Sequence, residues 1–371
     1  MFKKNTDYRY IQTRIYPNRR KSQYGIAVIT VLLVIALSTI MVASLAGRQQ
    51  VDIRREQNES AIQLARSLAI SGERFAVAVL YRDFQAADRD NTDSLEDEWS
   101  ETLPPVPIGE ATLSGCMVDM QGKFNLNNLV DAEGNASPPF VDQFTRLLQV
   151  LNIDASKSQA VVDWVDENVD ATVPDGAEDD YYSGLEVPYK TSNSSFSSVS
   201  ELQLIKGFSP SVEDELADYE LLLPHVTVLP AELGVTPLNV NTATPELLSS
   251  LSDFMQDLGA EMSRWDSTAY EDYPECENFF DLDAEEVEGT LSGDDKDFSP
   301  YLSSLDFEEQ ADPGGGSGEE IAAPGTIDVR SDFFQTRIDI AMEGVTLSQF
   351  TLMERDPEGR VRVISRSRDA L

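Results

Sequence analysis

Residues 163–182 read DWVDENVDATVPDGAEDDYY, a stretch dominated by hard oxygen donors. Asp166, Asn168 and Asp170 fall at positions 1, 3 and 5 of a calcium-type loop, a spacing that lets side-chain oxygens curl around one divalent cation. The rest of such a loop is missing: Ala171 stands where the sharp turn needs glycine, and Ala177 takes the twelfth position, with Glu178 one residue late. An EF-hand is therefore excluded. Asp163, ahead of the loop, and the run Glu178-Asp179-Asp180 after it leave two readings open, a less regular cation site and a solvated acidic loop.

A second acidic region, from Asp266 to Asp312, holds 17 Asp and Glu residues with Lys296 as its only basic one. Asp294, Asp295 and Asp297 make it a second candidate cation site, while repulsion among like charges predicts a mobile loop. Residues 313–318, PGGGSG, read as a flexible connector. Cys116 and Cys276 are the only two cysteines. In an oxidising compartment they would pair and close a long loop, worth about 4–5 kcal/mol in the chain-entropy estimate; the plainer reading is two buried thiols.

No catalytic set accompanies these groups. His225 is the only histidine, flanked by Pro224 and Val226, and a structural role outweighs one as general base. Serine-centred triads, cysteine-rich zinc sites and glycine-rich phosphate loops are lacking. Carboxylate pairs are too abundant for any one of them to stand out as an acid–base couple. Residues 238–248, LNVNTATPELL, and 200–208, SELQLIKGF, resemble helix-hairpin-helix modules, which hold DNA backbone through exposed N–H groups and local basic residues. Here only Lys206 and Gly207 could serve, and Glu213, Asp214, Glu215 and Asp218 follow. A helical packing unit is expected instead, with Asn239 and Asn241 capping or bracing turns and no nucleic acid bound.

Charge narrows the partners. The 371 residues carry a formal net charge of -38, from 28 Lys+Arg against 66 Asp+Glu. Seven of the basic residues crowd into residues 1–25 beside one acid, Asp7, which leaves the remainder at -44. That field repels nucleic-acid phosphates and anionic headgroups, and favours divalent cations and basic partner surfaces.

These groups need elements to hold them. Residues 26–46, IAVITVLLVIALSTIMVASLA, are 21 consecutive residues without a charge, long enough as a helix to cross about 30 Å of hydrocarbon. Arg19, Arg20 and Lys21 just before them place the N-terminus in the cytoplasm and the C-terminal part outside; Arg48, Arg54 and Arg55 weaken that bias. A cleaved secretory signal fits less well, because the run is long and small residues continue without a clean processing pattern. Beyond it, Ala61, Leu64, Ala65, Leu68, Gly72, Phe75, Ala76, Val79 and Leu80 recur at spacings of three and four and define one face, with Arg66, Glu73, Arg74 and Arg82 mostly off it. No proline interrupts residues 26–86, so one helix is predicted from the membrane into the soluble part.

Residues 87–110 are polar, acidic and proline-containing and read as a loop. Residues 111–120 partly alternate and predict a strand, as do Ile327–Arg330, Phe334–Met342, Leu347–Glu354 and Arg360–Ser365, with Asp356-Pro357-Glu358-Gly359 as a hairpin turn. These flanks would form one antiparallel sheet, with residues 124–322 inserted between its strands; the alternative is two independent domains. The middle is read as helical over Pro139–Leu151, after a Ser156 cap, over 198–207 and 210–223, and from Thr244-Pro245 on.

Several stretches resemble the type II secretion system minor pseudopilin K family. They are Tyr24-Gly25 before Ile26, residues 48–55 (RQQVDIRR), residues 122–129 (GKFNLNNL), Asp163–Tyr182, residues 198–202 (SVSEL), residues 238–243 (LNVNTA), and Val329-Arg330-Ser331 with the Arg360–Arg368 region. Together they cover most of the chain, and most loosely residues 266–325. The resemblance implies an α+β class: a pilin-like fold with a long N-terminal helix and antiparallel sheet, interrupted by a large all-helical inserted domain. Its parts would be a basic prepilin leader (1–25), a transmembrane helix (26–46), its periplasmic continuation (47–86), a pilin-like domain (87–123 and 323–371) and an acidic insertion (124–322). A prepilin peptidase would cut between Gly25 and Ile26, and the new N-terminal Ile26 would be methylated. Most pilin subunits carry glutamate at mature position five, which pairs with a neighbour's amine; Thr30 stands there in this chain, as the K family implies, and suits a tip position.

The resemblance also implies calcium bound in the insertion, with Asp163, Asp166, Asn168, Asp170, Glu178, Asp179 and Asp180 as candidate ligands. The implied role is structural, not enzymatic: a minor pseudopilin that forms or initiates the tip of the periplasmic pseudopilus. Implied partners are other minor pseudopilins, the major pseudopilin, the prepilin peptidase, the inner-membrane machinery and secreted substrates. The implied location is the bacterial inner membrane, single-pass, with the C-terminal domain in the periplasm. Competing readings are a membrane-tethered, calcium-dependent periplasmic binding domain, distinguished by a retained leader, and a DNA-uptake protein, distinguished by salt-sensitive duplex binding.

Overall fold

A computed structural model describes residues 24–86, 92–208, 218–230, 234–265, 299–318 and 320–368. The chain divides into two compact units, one up to Ser60 and one from Ala61 onward. Helix α1 runs Tyr24–Gln85, 62 residues, as the proline-free sequence predicts.

In the first unit every residue from Ile26 to Ser60 is exposed, Met41 at 74%. By length and composition this helix can cross a membrane. Three of its hydroxyls turn back onto the helix: Thr30 Oγ1 donates to the Ala27 carbonyl at 2.9 Å, and Thr39 and Ser44 make the same kind of bond. Each is thereby satisfied without leaving the apolar surface.

The second unit contains, in chain order, strands β1 (Leu103–Ile108), β2 (Ala111–Asp119), β3 (Phe124–Asn125), β4 (Val226–Thr227), β5 (Leu238–Asn239), β6 (Ile327–Asp328), β7 (Phe333–Met342), β8 (Val345–Arg355) and β9 (Val361–Ser367). Five of them form one antiparallel sheet in the order β1-β2-β7-β8-β9. The hairpin turns fall where left-handed glycines allow them, at Gly344 (φ 78°) and Gly359 (φ 80°).

Helix α1 lies on this sheet through small residues. Ala65, Ala69, Gly72, Ala76, Val79 and Leu80 are buried, against Leu113, Met117, Phe334, Ile338 and Met353. A Cβ on Gly72 would meet the Ile338 side chain at 3.0 Å, which shows how closely helix and sheet approach. The predicted stripe is corrected at two positions: bulky Leu64 and Phe75 are 47% and 52% exposed, while Val79 and Leu80 are buried with the small residues. Glu73, expected off the buried face, is 4% exposed and bonded to the sheet.

The insertion has its own core, built from Phe124, Phe144, Leu147, Val161, Trp164, Leu202, Val240, Tyr301 and others. Helices α2 (Pro138–Val150) and α3 (Lys157–Val165) supply its centre. Other regular pieces are short, including Pro245–Ser249 and Ser304–Ala311. Two parallel pairs, β3 with β4 and β5 with β6, add a little strand to an otherwise helical body.

Four local expectations change. The proline-rich end of the supposed loop 87–110 is strand β1, tolerated because it lies at the sheet edge, where Pro104, Pro105 and Pro107 leave few ladder bonds unmade. Of Ile327–Arg330 only β6 is strand, and it pairs with β5 of the insertion instead of the flanking sheet. Ser156 occupies the cap of α3 without a side-chain cap bond; Asp154 Oδ1 accepts from the Ser156 N–H instead. Residues 198–207 contain a 3₁₀ segment, Val199–Leu204, closed by a Ser198/Glu201 capping box, and of 210–223 the described helix is Asp218–Leu222.

Candidate functional site

Two groups of buried polar residues stand out, one inside the insertion and one where it joins the sheet. The first is the loop after α3. Asp163, on the last turn of α3, is fully buried and accepts from the N–H groups of Thr172 (3.0 Å) and Ala177 (2.7 Å), so it folds the loop back on the helix. The glycine this fold needs is Gly176: a Cβ there would lie 2.2 Å from Asp163 Oδ2. Asp166 and Glu178 are 2% and 4% exposed, and Asp166 Oδ1 and Glu178 Oε1 have no hydrogen-bond partner. Burial, and then the Asp163 charge, pushes Asp166 up to about 6. Burial also raises Glu178, with Asp163 and Asp166 adding to it.

Not all predicted ligands join them. Asn168 braces the loop, its Nδ2 donating to Asp166 Oδ2 at 2.7 Å and its Oδ1 accepting from the Asp170 N–H. Asp170 and Asp180 are exposed. Asp179 is engaged by Lys190 Nζ at 2.5 Å and by Thr191, and the lysine holds its carboxyl below the usual range. Sequence reasoning missed Asn193, which sits in the left-handed region (φ 43°), donates through Nδ2 to the Asn168 carbonyl, and leaves Oδ1 without a partner. Partnerless oxygens on two buried carboxylates and one amide are of the chemistry a hard divalent cation such as calcium takes, while among the described residues the carboxylates whose ligand atoms all lie within 4.8 Å of one another are Asp83, Asp93 and Asp97. The second candidate set, Asp294, Asp295 and Asp297, lies outside the described residues.

The second group sits at the junction. Asp119, at the end of β2, accepts from the Gln121 N–H (2.8 Å), Asn239 Nδ2 (3.0 Å), Thr242 Oγ1 (2.6 Å) and Ser331 Oγ (2.6 Å). Asn239 Nδ2 also reaches the Asp93 carbonyl, and its Oδ1 accepts from the Asn241 N–H. Asp93 Oδ2 accepts from the Ser331 N–H (2.8 Å) and from Arg355 (2.5 Å). Burial pushes Asp119 up to about 6 in spite of the Ser331 and Thr242 hydroxyls. A Cβ on Gly122 would lie 2.8 Å from the Thr242 carbonyl, so the two bodies meet through bare backbone. Asp83, Asp93 and Asp97 offer carboxylate oxygens within 4.8 Å of one another, and the Arg355 guanidinium, 3.6 Å from Asp83, already supplies a cation there. Asp93 and Asp97 lie in the stretch 87–110 that reads as a loop, and Asp83 in the predicted helix, so sequence did not bring them together.

The remaining sequence features are structural in the fold. His225 is 2% exposed, its Nδ1 is 3.0 Å from Thr244 Oγ1, and burial, with Lys123 nearby, pushes it down to about 3, so it stays neutral. Thr244 thus spends its hydroxyl on His225 instead of capping Pro245–Ser249. Asn239 and Asn241 are fully buried, Asn241 bracing Tyr301, which is the turn-bracing expected of them. Lys206 Nζ points at the Asp175 carbonyl. Cys116 is buried and disulfide-bonded; Cys276 lies outside the described residues.

Comparison with known proteins follows from this geometry. A family model described as type II secretion system (T2SS), protein K, matches residues 122–231. The chain is 33% identical over 356 residues to the type II secretion system protein K of Pseudomonas aeruginosa, across 94% of this chain and 93% of that one. To the protein of the same name from Aeromonas hydrophila it is 31% identical over 238 residues, 61% of this chain and 69% of that one. Its fold is similar to a chain in the crystal structure of the GspK-GspI-GspJ complex from the enterotoxigenic Escherichia coli type 2 secretion system. The TM-score is 0.59 at 20% identity, over 85% of this chain and 100% of that chain.

Proposed function

Because this chain belongs to the type II secretion system protein K family, we propose that it works as the minor pseudopilin that forms or initiates the tip of the periplasmic pseudopilus. The observation that carries the reading is the near full-length relationship to the Pseudomonas protein. The fold agrees with it: one apolar helix, long enough to cross a membrane, continues into a second unit whose sheet carries a bulky insertion. The role is structural, and no bond is made or broken. The neighbouring solved structure is a complex of three subunits, and this chain would meet other minor pseudopilins in the same manner, with the major pseudopilin below.

Processing follows from the sequence at the start of α1. The leader 1–25 is removed between Gly25 and Ile26 by a prepilin peptidase, and Ile26 becomes the methylated N-terminus. The helix stays in the inner membrane until the machinery extracts it, with the C-terminal part in the periplasm. Thr30, whose hydroxyl already bonds to the Ala27 carbonyl, offers no carboxylate to another subunit's amine, and that supports placement at one end of the fibre.

Calcium is held by Asp163, Asp166 and Glu178, with Asn168 and Asn193 contributing carbonyl oxygens or bracing. The ion would supply positive charge to three buried carboxylates, and the residues themselves clamp the loop 166–178 to α3. Purification from native membranes with and without a working processing peptidase tests the whole reading. A mature chain starting at Ile26 and co-purifying with related subunits is expected. A retained leader would favour a simple membrane tether, and a soluble monomer starting well past Ala46 would end the case.

A further inference from the structure

Arg66, Ile70, Arg74, Val77 and Tyr81 recur on α1 at spacings of four, four, three and four, which puts them on one face. That face borders β9, the last strand of the sheet: Val77, Val361 and Val363 pack on the same apolar cluster, and Glu73 holds Arg366. Ile70 and Tyr81 stay 42% and 50% exposed, the Arg366 side chain is half exposed, and exposed Arg368 follows two positions along. Arg66, Arg74 and Arg368 have no ion-pair partner among the described residues, in a chain with 66 acids to 28 bases. The opposite flank of the helix carries the opposite sign. Phe75, about 140° round the helix from Ile70, lines a cleft together with Glu98 and Glu101.

We propose that Arg66, Ile70, Arg74, Tyr81, Arg366 and Arg368 form the surface on which a different pseudopilin docks, through a facing patch of Asp and Glu set around an apolar residue. The inference rests on the pseudopilin reading above and names a partner surface for it. Charge complementarity sets the sign of that patch: unpaired guanidiniums take carboxylates two oxygens at a time, and a local basic strip on an acidic body concentrates the attraction there. Exposed Ile70 and Tyr81 supply the apolar contact between the charges, and tyrosine with arginine is the pairing enriched at the centres of protein interfaces. A second copy of this chain is the poorer occupant, because each copy carries a net charge of -38 and the two fields repel at long range. The strip lies on the second unit, where Arg366 ties strand to helix, so a partner meets it already shaped.

The test uses the full chain in native membranes, with a photo-cross-linking residue in place of Ile70. Three forms are compared: one otherwise natural, one with Arg66→Gln and Arg74→Gln, and one with Arg66→Glu and Arg74→Glu. Both arginines are exposed and unpaired, so the fold should be kept, and the neutral form guards against a reversed form that does not fold. The natural form should cross-link another pseudopilin, the reversed form roughly five-fold less or weaker still, and the neutral form should fall between, with the natural yield dropping at high salt. Exchanging Asp and Glu for Arg in the cross-linked stretch of that partner should restore capture by the reversed form. Equal capture by all three forms overturns the proposal, as does a cross-link only to lipid or to a second copy of this chain. If the natural form begins at Ile26 and co-purifies with other pseudopilins but does not cross-link them from position 70, the docking surface is wrong and the subunit reading stands. A retained leader with no pseudopilin co-purified removes the subunit reading, and this surface with it.

Discussion

Glu73 on α1 and Arg366 on β9, 293 positions apart, are joined by two hydrogen bonds of 2.6 and 2.8 Å. The carboxylate is buried, with Gln349 and Thr351 also donating to it, while the arginine side chain is 52% exposed. Arg366→Ala should cost about 1–2 kcal/mol, since water reaches the vacated position and replaces part of the interaction. Glu73→Ala should cost more, about 2–3 kcal/mol, because it leaves three donors without their acceptor. Thermal unfolding of the detergent-solubilised chain would rank the two, and equal or reversed effects would contradict the burial asymmetry.

Gly122→Ala places a Cβ 2.8 Å from the Thr242 carbonyl. Backbone lies on both sides, so the strain cannot be relieved by a rotamer change, and a loss of about 1–3 kcal/mol is expected. Protease sensitivity should rise at residues 119–123 and 237–242 before it rises within either body. A variant as resistant as the natural chain would show that the junction is looser than described.

Calcium and protons should compete at Asp166 and Glu178. Without metal, a folded-state value raised to about 6 means that Asp166 adds to stability below its unfolded value and that this contribution is lost as pH rises through 6. The raised Glu178 acts with the same sign. With calcium the trend inverts, because the ligands must be ionised to bind it. The rise in melting temperature on adding calcium should therefore be largest near neutral pH and vanish as pH falls well below 6. Asp166→Asn with Glu178→Gln should abolish it while raising the metal-free melting temperature at neutral pH. A calcium effect independent of pH would count against this site.

Cys116, on β2, lies in an apolar cluster and is disulfide-bonded, and Cys276 is the chain's only other cysteine. Non-reducing peptide mapping should recover one peptide pair containing both. Reduction should lower stability by up to about 5 kcal/mol, the chain-entropy figure for a loop this long. Recovery of two free thiols from periplasmic material would remove the link.

The sheet's last three strands and the stem were legible because their periodicities, two and 3.6, survive in single stretches of sequence. Strand β1 was not, since Pro104, Pro105 and Pro107 signal a loop unless the strand is known to lie at an edge. Of the candidate ligands, Asp163, Asp166 and Glu178 are buried, whereas Asp179 is diverted by Lys190, eleven positions on. Asn193 and the Asp119–Asn239–Ser331 cluster depend on contacts between residues far apart in the chain, and no local pattern announces those.

The cluster around Asp119 has a mechanical consequence. Apolar surfaces slide on one another, but hydrogen bonds aimed from three directions resist both shear and rotation. A push against the insertion therefore passes from Asn239 and Thr242 into Asp119 and Ser331, along the sheet to Arg366, and through Glu73 into residues 61–85 of α1. The sheet, the insertion docked on it and residues 61–85 of the helix thus resist such a push together.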